Sequence, residues 1–326
     1  MLGFVLRRIL TSVLVVAVAS VAVFAMVAGL GDPLADLRVR NPPPPAEVIE
    51  RRRQALDLDK PVVERYGLWL NRVVRGDLGR DNRGQEVAPI LWRRLQITLR
   101  MVVVAVLIAL VLAVLVGVFS AVRQHSLGDH VATFAGFLFL SMPVFWLAAL
   151  LKEYGAIRVN RLFGTRLVST VGAQSPDLAG GFWHRMGDYA SHLALPALAL
   201  ALVTFAAWSR YQRAAMLDVL DADYVRLARA KGVSPRGVLF RHALPNALIP
   251  LTTVVAVDVG AVLGGAVITE RVFGWNGMGT MLVEGIRRYD TNVVMAWLMV
   301  TSVFVILCNL VADLLYGVLD PRVRHA

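Results

Sequence analysis

One cysteine, Cys308, occurs in 326 residues, so no intramolecular disulfide can form and no cysteine-based metal site can be assembled. It lies inside an apolar run, where the role of a small packing residue suits it. Six histidines are present without ligand pairing: His184 and His192 are eight positions apart, and His125 and His130 are five apart in a polar stretch. There is no G-x-x-x-x-G-K-[ST] stretch to cradle a nucleotide phosphate, and no Ser-His-Asp or Cys-His arrangement to support covalent catalysis. Metal, nucleotide and hydrolytic centres thus lack their usual residues, and no cofactor is expected on this chain.

What the chain has in excess is apolar. Hydrophobic residues make up 57% of it, above the roughly 45–50% of soluble domains, and the mean hydropathy is +0.62. They gather into six runs, each close to the ~20 residues that cross a ~30 Å hydrocarbon core. The first runs from Ile9 to Leu30 behind Arg7 and Arg8. It is about twice the apolar length of a signal peptide and lacks an A-x-A-like site before Gly31–Pro33, so a retained helix is expected. The second (Met101–Ala121) and third (Val131–Leu151) are joined by "RQHSLGDH" and should form a tight antiparallel pair. A shorter fourth (Leu193–Trp208) carries Pro196, expected in its first turn, where a missing N–H costs little. The fifth is Ala247–Thr269 and the sixth Val293–Leu315, with Asp313 near its inner end reading as structural. The fold class is therefore all-α and membrane-spanning.

Between the first two spans the stretch Gly31–Thr98 turns polar, with 13 Lys/Arg against 10 Asp/Glu. Pro42–Pro45 precede "AEVIERRRQALDLD", whose mixed pattern suits a short amphipathic helix, and the whole stretch reads as a small external subdomain. The organisation is then a first span at 1–30, this subdomain at 31–98, a core at 99–316 and a tail at 317–326. A formal charge of +11 would suggest nucleic acid in a soluble domain, but here the basic residues lie between spans and report topology. With both termini cytoplasmic the inner stretches hold 12 Lys/Arg, including Arg7, Arg8, Arg123, Arg322 and Arg324, against eight in the two shorter outer loops. No nucleic-acid partner is expected; lipid is.

The longest polar excursion of the second half holds "DVLDADYVRLARAKGVSPRGVLFRHALPNALIP", Asp218 to Pro250. Asp221 and Asp223 precede Tyr224, Leu227 and Ala228 at helical spacing, which predicts a short helix with acidic residues at its start. Gly232 should end it, after Lys231. Ser234 should cap a second helix with Pro235 at its first position, leading through Leu244 and Pro245 into span five. Helix, glycine bend and helix make a projecting knob suited to a cytosolic groove.

These residues resemble the inner-membrane permeases of bacterial ATP-binding-cassette importers, in particular the B-type subunit of the dipeptide/oligopeptide/nickel group. The signature of that family is E-A-A, three residues, Gly, nine residues and I-x-L-P. Ala228, Gly232, Leu244 and Pro245 fit it, while Arg226, Leu227 and His242 depart at the Glu, first Ala and Ile positions. "DYVRLARAKG", "RHALPNALIP", "GGAVITERVFGWNGMG" and, earlier, "VVERYGLWLNRVVRGDLGRD" all look like the peptide-permease variant. The resemblance covers essentially the whole chain. It implies a type I importer permease fold in the bacterial plasma membrane, and a coupling segment at 211–246. It also implies a partner set: a second permease, two ATP-binding subunits carrying ATP and Mg, and an external solute-binding protein. Short peptides lead as cargo, with haem, nickel complexes and glutathione as alternatives; an ion-coupled secondary transporter is the remoter one, since only Asp258 offers a midspan charge.

Asp258 itself reads either as a pathway-lining carboxylate that meets a peptide's amino terminus or as one held by another helix. Ala256, Gly260 and Gly264 recur every four residues on the same span, a stripe that lets helices approach closely. Glu270, Phe273 and Trp275 belong to "ERVFGWNGMGTMLVEGIRRYD", where Gly274, Gly277 and Gly279 mark a re-entrant or tightly folded loop. By resemblance that loop lies at the outer mouth near the docked binding protein, although aromatics such as Trp275 are also ordinary interface anchors.

Overall fold

A computed structural model describes residues 2–38, 42, 44–165, 167–176 and 181–319. The tail beyond 319, with Arg322 and Arg324, lies outside these residues, as do Pro43, Arg166 and the side chains of Arg8 and Asp313. Apart from one bridge between Arg80 and Glu86, the regular structure among the described residues is helical. Among the described residues five helical stretches are long and apolar enough to cross a membrane, and a bent pair makes a sixth when counted as one span. That helical form follows from the solvent, because lipid offers no hydrogen bonds and each segment must satisfy its own backbone.

Two expected boundaries shift. The third span is two helices, α6 (Leu127–Ser141) and α7 (Val144–Lys152), bent by 106°. Pro143 is the cause: it lacks an N–H and pushes the preceding residue out of the helical region, and Met142 is extended at φ −81, ψ 128. A π-helical turn (Glu153–Ile157) then leads into α8 (Arg158–Phe163). The fourth span is part of α9 (Phe182–Leu220), so Pro196 sits in the helix interior and not in its first turn. Hydropathy outlines only the apolar centre of this helix; its polar ends continue the same hydrogen-bond ladder.

The chain forms two compact units. The first comprises Met1–Ile97 and Asn276–Ile306. It contains α1 (Leu2–Leu30), α2 (Ala35–Arg38), α3 (Ala46–Ala55) and α4 (Val62–Val74). The start of α5 (Val87–Val122), all of α13 (Met278–Arg287) and the start of α14 (Thr291–Leu319) complete it. Tyr66 and Trp69 of α4 pack on Phe24 of α1, with ring centroids 5.4 and 6.1 Å away, and the Tyr66 hydroxyl meets Ser20 Oγ at 2.9 Å. Thus α4 leans on the first span itself. Asn82 ties the remaining turns together: its side-chain amide donates to the carbonyls of Pro33 (3.3 Å) and Arg288 (2.9 Å), while its backbone N–H donates to Asp290 at 2.6 Å.

The second unit, Thr98–Trp275 and Leu307–Ala326, holds the rest of α5, α6 to α9, the polar excursion and α12 (Leu244–Val272). Its centre is α9 against α12. Ala197, Ala199, Ala201 and Ala206 of α9 are fully buried, as are Ala247 and Ala266 of α12. Small residues matter here because lipid removes the hydrophobic drive between helices and leaves close packing to hold them together.

Asp290, 4% exposed, caps α14 by accepting the Val293 N–H at 3.2 Å. Burial pushes its carboxyl above the usual carboxylate range, against the pull of the Asn82 and Val293 N–H groups. With the folded value raised, its stabilising contribution is full in acid and is lost as pH rises through that value. Asp290→Ala should lower the thermal stability of the solubilised protein by about 1 kcal/mol. Asp290→Asn should gain on the wild type as pH is raised upward from the ordinary carboxylate range in the same melting assay.

Candidate coupling surface and membrane core

The excursion after α9 is built as its caps dictate. Asp221 closes α9, and α10 (Asp223–Ala230) starts after Ala222, so only Asp223 stands in the first turn of the new helix. Expecting both acids at the helix start is corrected here: Asp221 still lies at the end of the preceding helix, where its N–H bonds back to Leu217. Lys231 ends α10, and Gly232 follows at φ +79, a left-handed backbone that a side chain would strain. Ser234 then accepts the Gly237 N–H at 3.3 Å and caps α11 (Pro235–Gly237). A π-helical turn (Val238–Ala243) carries the chain into α12, with Leu244 half-buried and Pro245 exposed at its start.

The excursion has its own small core, Val225 and Ala228 from α10 against Val238, with Val219 and Val233 packed around them. Tyr224 and Leu227 therefore point the other way, at 45% and 55% exposure, beside exposed Arg226, Arg229, Lys231 and Gly232. Ala228, which helical spacing groups with these two, lies on the inner face.

Beneath the excursion lies an arrangement that sequence reasoning missed. Arg213 on α9 grips Asp129 in the first turn of α6 with two donors, Nε at 3.0 Å and a terminal nitrogen at 2.9 Å. Asp129 also accepts from the Ser120 hydroxyl at the end of α5 and from the His125 N–H at 3.0 Å. Ser126 caps α6 by accepting the Asp129 N–H. The Ser126–Asp129 spacing is a legible capping pattern; the arginine partner, 84 positions away, is not. The Asp129 side chain is 5% exposed, and stripping a buried charge of its partner typically costs about 3–5 kcal/mol. Next to it α5 touches α9 at Gly117, where a methyl would stand 2.9 Å from the Ser209 carbonyl oxygen.

At midspan Asp258 on α12 accepts a hydrogen bond of 2.8 Å from the indole N–H of Trp208 on α9, a fully buried ring. The interhelical partner weighed in the sequence thus exists within the chain, and Asp258 stays half-buried. Of the small-residue stripe, Ala256 and Gly260 are half-buried, while Gly264 is exposed and a methyl there would meet nothing within 4 Å. The glycine used for packing inside the chain is its neighbour Gly265, against Leu200. Val257, Ala261, Gly264 and Ile268 form an exposed line along α12.

Glu270, Phe273 and Trp275 are buried in the second unit. The Thr98 hydroxyl donates to Glu270, and the Trp275 N–H donates to the Glu270 carbonyl at 2.8 Å. Lys152 caps the end of α12 by donating to the Val272 carbonyl at 2.7 Å, and the Gly172 N–H donates to the Phe273 carbonyl at 2.9 Å. Gly274, at φ +62, makes the tight turn expected of it, with Val171 packed where a side chain would go. Among the described residues no three His, Cys, Asp or Glu side chains converge as metal ligands would.

A family model for the binding-protein-dependent transport system inner membrane component matches residues 113–325, and the model for the N-terminal part of such membrane components matches residues 1–102. The chain belongs to this permease family. It is 43% identical over 324 residues, 99% of both chains, to the oligopeptide transport system permease protein OppB of Mycobacterium bovis. It is 34% identical over 345 residues, covering 100% of this chain and 99% of the other, to the dipeptide transport system permease protein DppB of Escherichia coli. In fold it matches a chain of the inward-facing MetNI methionine ABC transporter with a TM-score of 0.55 at 18% identity, over 71% of this chain and 96% of that one. The permease is therefore a multi-pass inner-membrane subunit of an importer with the type I ABC permease fold, and not an ion-coupled secondary transporter.

Trp208→Phe removes the donor to Asp258 while keeping most of the ring packing, and should destabilise the permease by about 1–3 kcal/mol in a thermal-shift measurement. Asp258→Asn keeps an acceptor for the indole and should cost less.

Proposed function

We propose that the permease, paired with a second related permease, forms the membrane pathway for short peptides handed over by an external solute-binding protein. Separate ATP-binding subunits, carrying ATP and Mg, drive it through the segment 211–246. The observation that carries this reading is the outward face of α10. Its inner face is already used by Val225 and Ala228, yet Tyr224 and Leu227 remain exposed on a helix flanked by basic residues and followed by the left-handed Gly232. An apolar pair on a polar excursion is what a partner's groove takes up. Peptides as cargo follow from the relatives named for oligopeptide and dipeptide transport.

In this reading both termini and the excursion face the cytoplasm, where the basic residues between Arg210 and Arg241 concentrate. The segment 31–98 contributes to the outer face. Closure of the ATP-binding subunits pulls on α10, and α9 and α12, continuous with the excursion at its two ends, carry the movement into the membrane and alternate access to the pathway. Asp258 lies beside the exposed line of α12, and its carboxylate offers an anionic contact for a peptide's amino terminus while Trp208 fixes its orientation.

Purification of the tagged permease from its native membrane in mild detergent should recover a second permease and ATP-binding subunits by mass spectrometry; a stable, folded chain without them would overturn the proposal. In the assembled complex, Leu227→Glu or Gly232→Pro should lower peptide uptake roughly tenfold or more, about 1.4 kcal/mol of lost coupling, with membrane insertion intact. Asp258→Asn should reduce uptake of peptides with a free amino terminus more than that of N-acetylated ones, and equal losses would remove the amino-terminal role.

A further inference from the structure

Helix α6 is held in an unusual way. Of its 15 residues only Asp129 and Gly136 are buried, while Phe134, Phe137, Leu138 and Leu140 are exposed. It packs along α9, with buried Gly136 facing the Ala206 backbone, and two polar contacts fix its place there: the two-donor pair of Arg213 and Asp129 at one end, and the Arg210 guanidinium 4.8 Å from the centre of the Phe137 ring further along. At its other end the helix stops at extended Met142 and Pro143, and α7 leaves at 106°. Beyond the break α7 is anchored in its own way: Leu147 and Ala148 are buried, and the helix packs on both α9 and α12.

Below Arg213, α9 runs unbroken to Leu220, a distance of roughly 10 Å at the rise of an α-helix, and α10 begins directly afterwards. Arg213 and the base of the excursion therefore belong to one rod. Asp129 adds the end of α5 through Ser120 and the α5–α6 turn through His125, so one carboxylate gathers three helices. A purely apolar contact could slide when the rod moves. Two parallel N–H donors on one carboxylate fix both distance and orientation.

We propose that the Asp129–Arg213 pair is the joint through which movement of the segment 211–246 reaches α6, which then turns about the break at Met142–Pro143. Asp129 and Arg213 are positioning residues in this role, and it rests on the reading of that segment as the coupling surface. The device is a lever: a stiff 15-residue helix, locked at one end by a charge pair and hinged at the other by a proline.

The test uses the whole complex reconstituted in vesicles, scoring peptide taken up per ATP hydrolysed. Asp129→Asn and Arg213→Gln complexes that assemble should keep hydrolysing ATP while uptake per ATP falls severalfold. An unchanged ratio in assembled variants overturns the joint and leaves the coupling surface standing, whereas a wild-type complex without ATP-dependent uptake overturns both. Should the variants fail to assemble, spin labels in an otherwise wild-type Cys308→Ala complex decide the matter. Labels at exposed Leu127 and Leu227 should keep one separation between nucleotide-free and ATP-trapped states, while labels at Leu127 and Leu162 should change theirs. A changed first distance, or an unchanged second, overturns the proposal.

Discussion

The bilayer withholds two things that a soluble protein relies on: hydrogen bonds from solvent and a hydrophobic drive between apolar surfaces. The second unit of the permease follows from this constraint. Both α9 and α12 bury alanines, and Gly265 of α12 lies against Leu200 of α9, because dispersion between closely approaching backbones is what remains to hold helices together. Large apolar side chains such as Leu107, Val111 and Leu115 of α5 are left facing outward, where lipid is as good a solvent as protein.

Against that background polar side chains within the spans and at their ends carry unusual weight, and several of them are paired between helices. Trp208 meets Asp258, Thr98 meets Glu270, and Arg213 meets Asp129 and Ser120. Each pair joins elements that are distant in sequence, and each supplies the direction that apolar packing between smooth helices lacks. The Asp129 network stands out because it sits at the foot of the excursion that the proposed function makes the point of force transfer. Fold and mechanism then share one solution: a charged contact strong enough to orient a helix in lipid is also stiff enough to move it.

Prolines and glycines set where such motion can be accommodated. Pro143 breaks the third span, while Pro196 is tolerated, buried, within α9. Gly232 takes the left-handed turn that folds α10 back on Val238, and Gly274 does the same between the end of α12 and the loop at Val171. These are local backbone demands, and the two glycines are legible at their positions in the chain; Pro143 lies unmarked inside an apolar run that reads as one span, and Pro196 reads as a first-turn residue, because a proline's effect depends on where the helix around it begins.

The sequence by itself determined the class of fold, the number of apolar runs, the family, and the glycine stop and serine cap that follow α10. All of these are written within a turn or two of the chain: a run of 20 apolar residues, Ser234 ahead of Pro235, glycine after Lys231. Only the tertiary structure decided that Asp129 belongs to Arg213, that Asp258 belongs to Trp208, that Gly265 rather than Gly264 packs within the chain, and that Tyr224 and Leu227 face outward while Ala228 faces in. The physical reason is range. Periodicity, caps and turn residues act through neighbouring backbone groups, whereas pairing across 84 or 50 residues depends on which helices become neighbours, and in lipid that is settled by packing summed over whole helices.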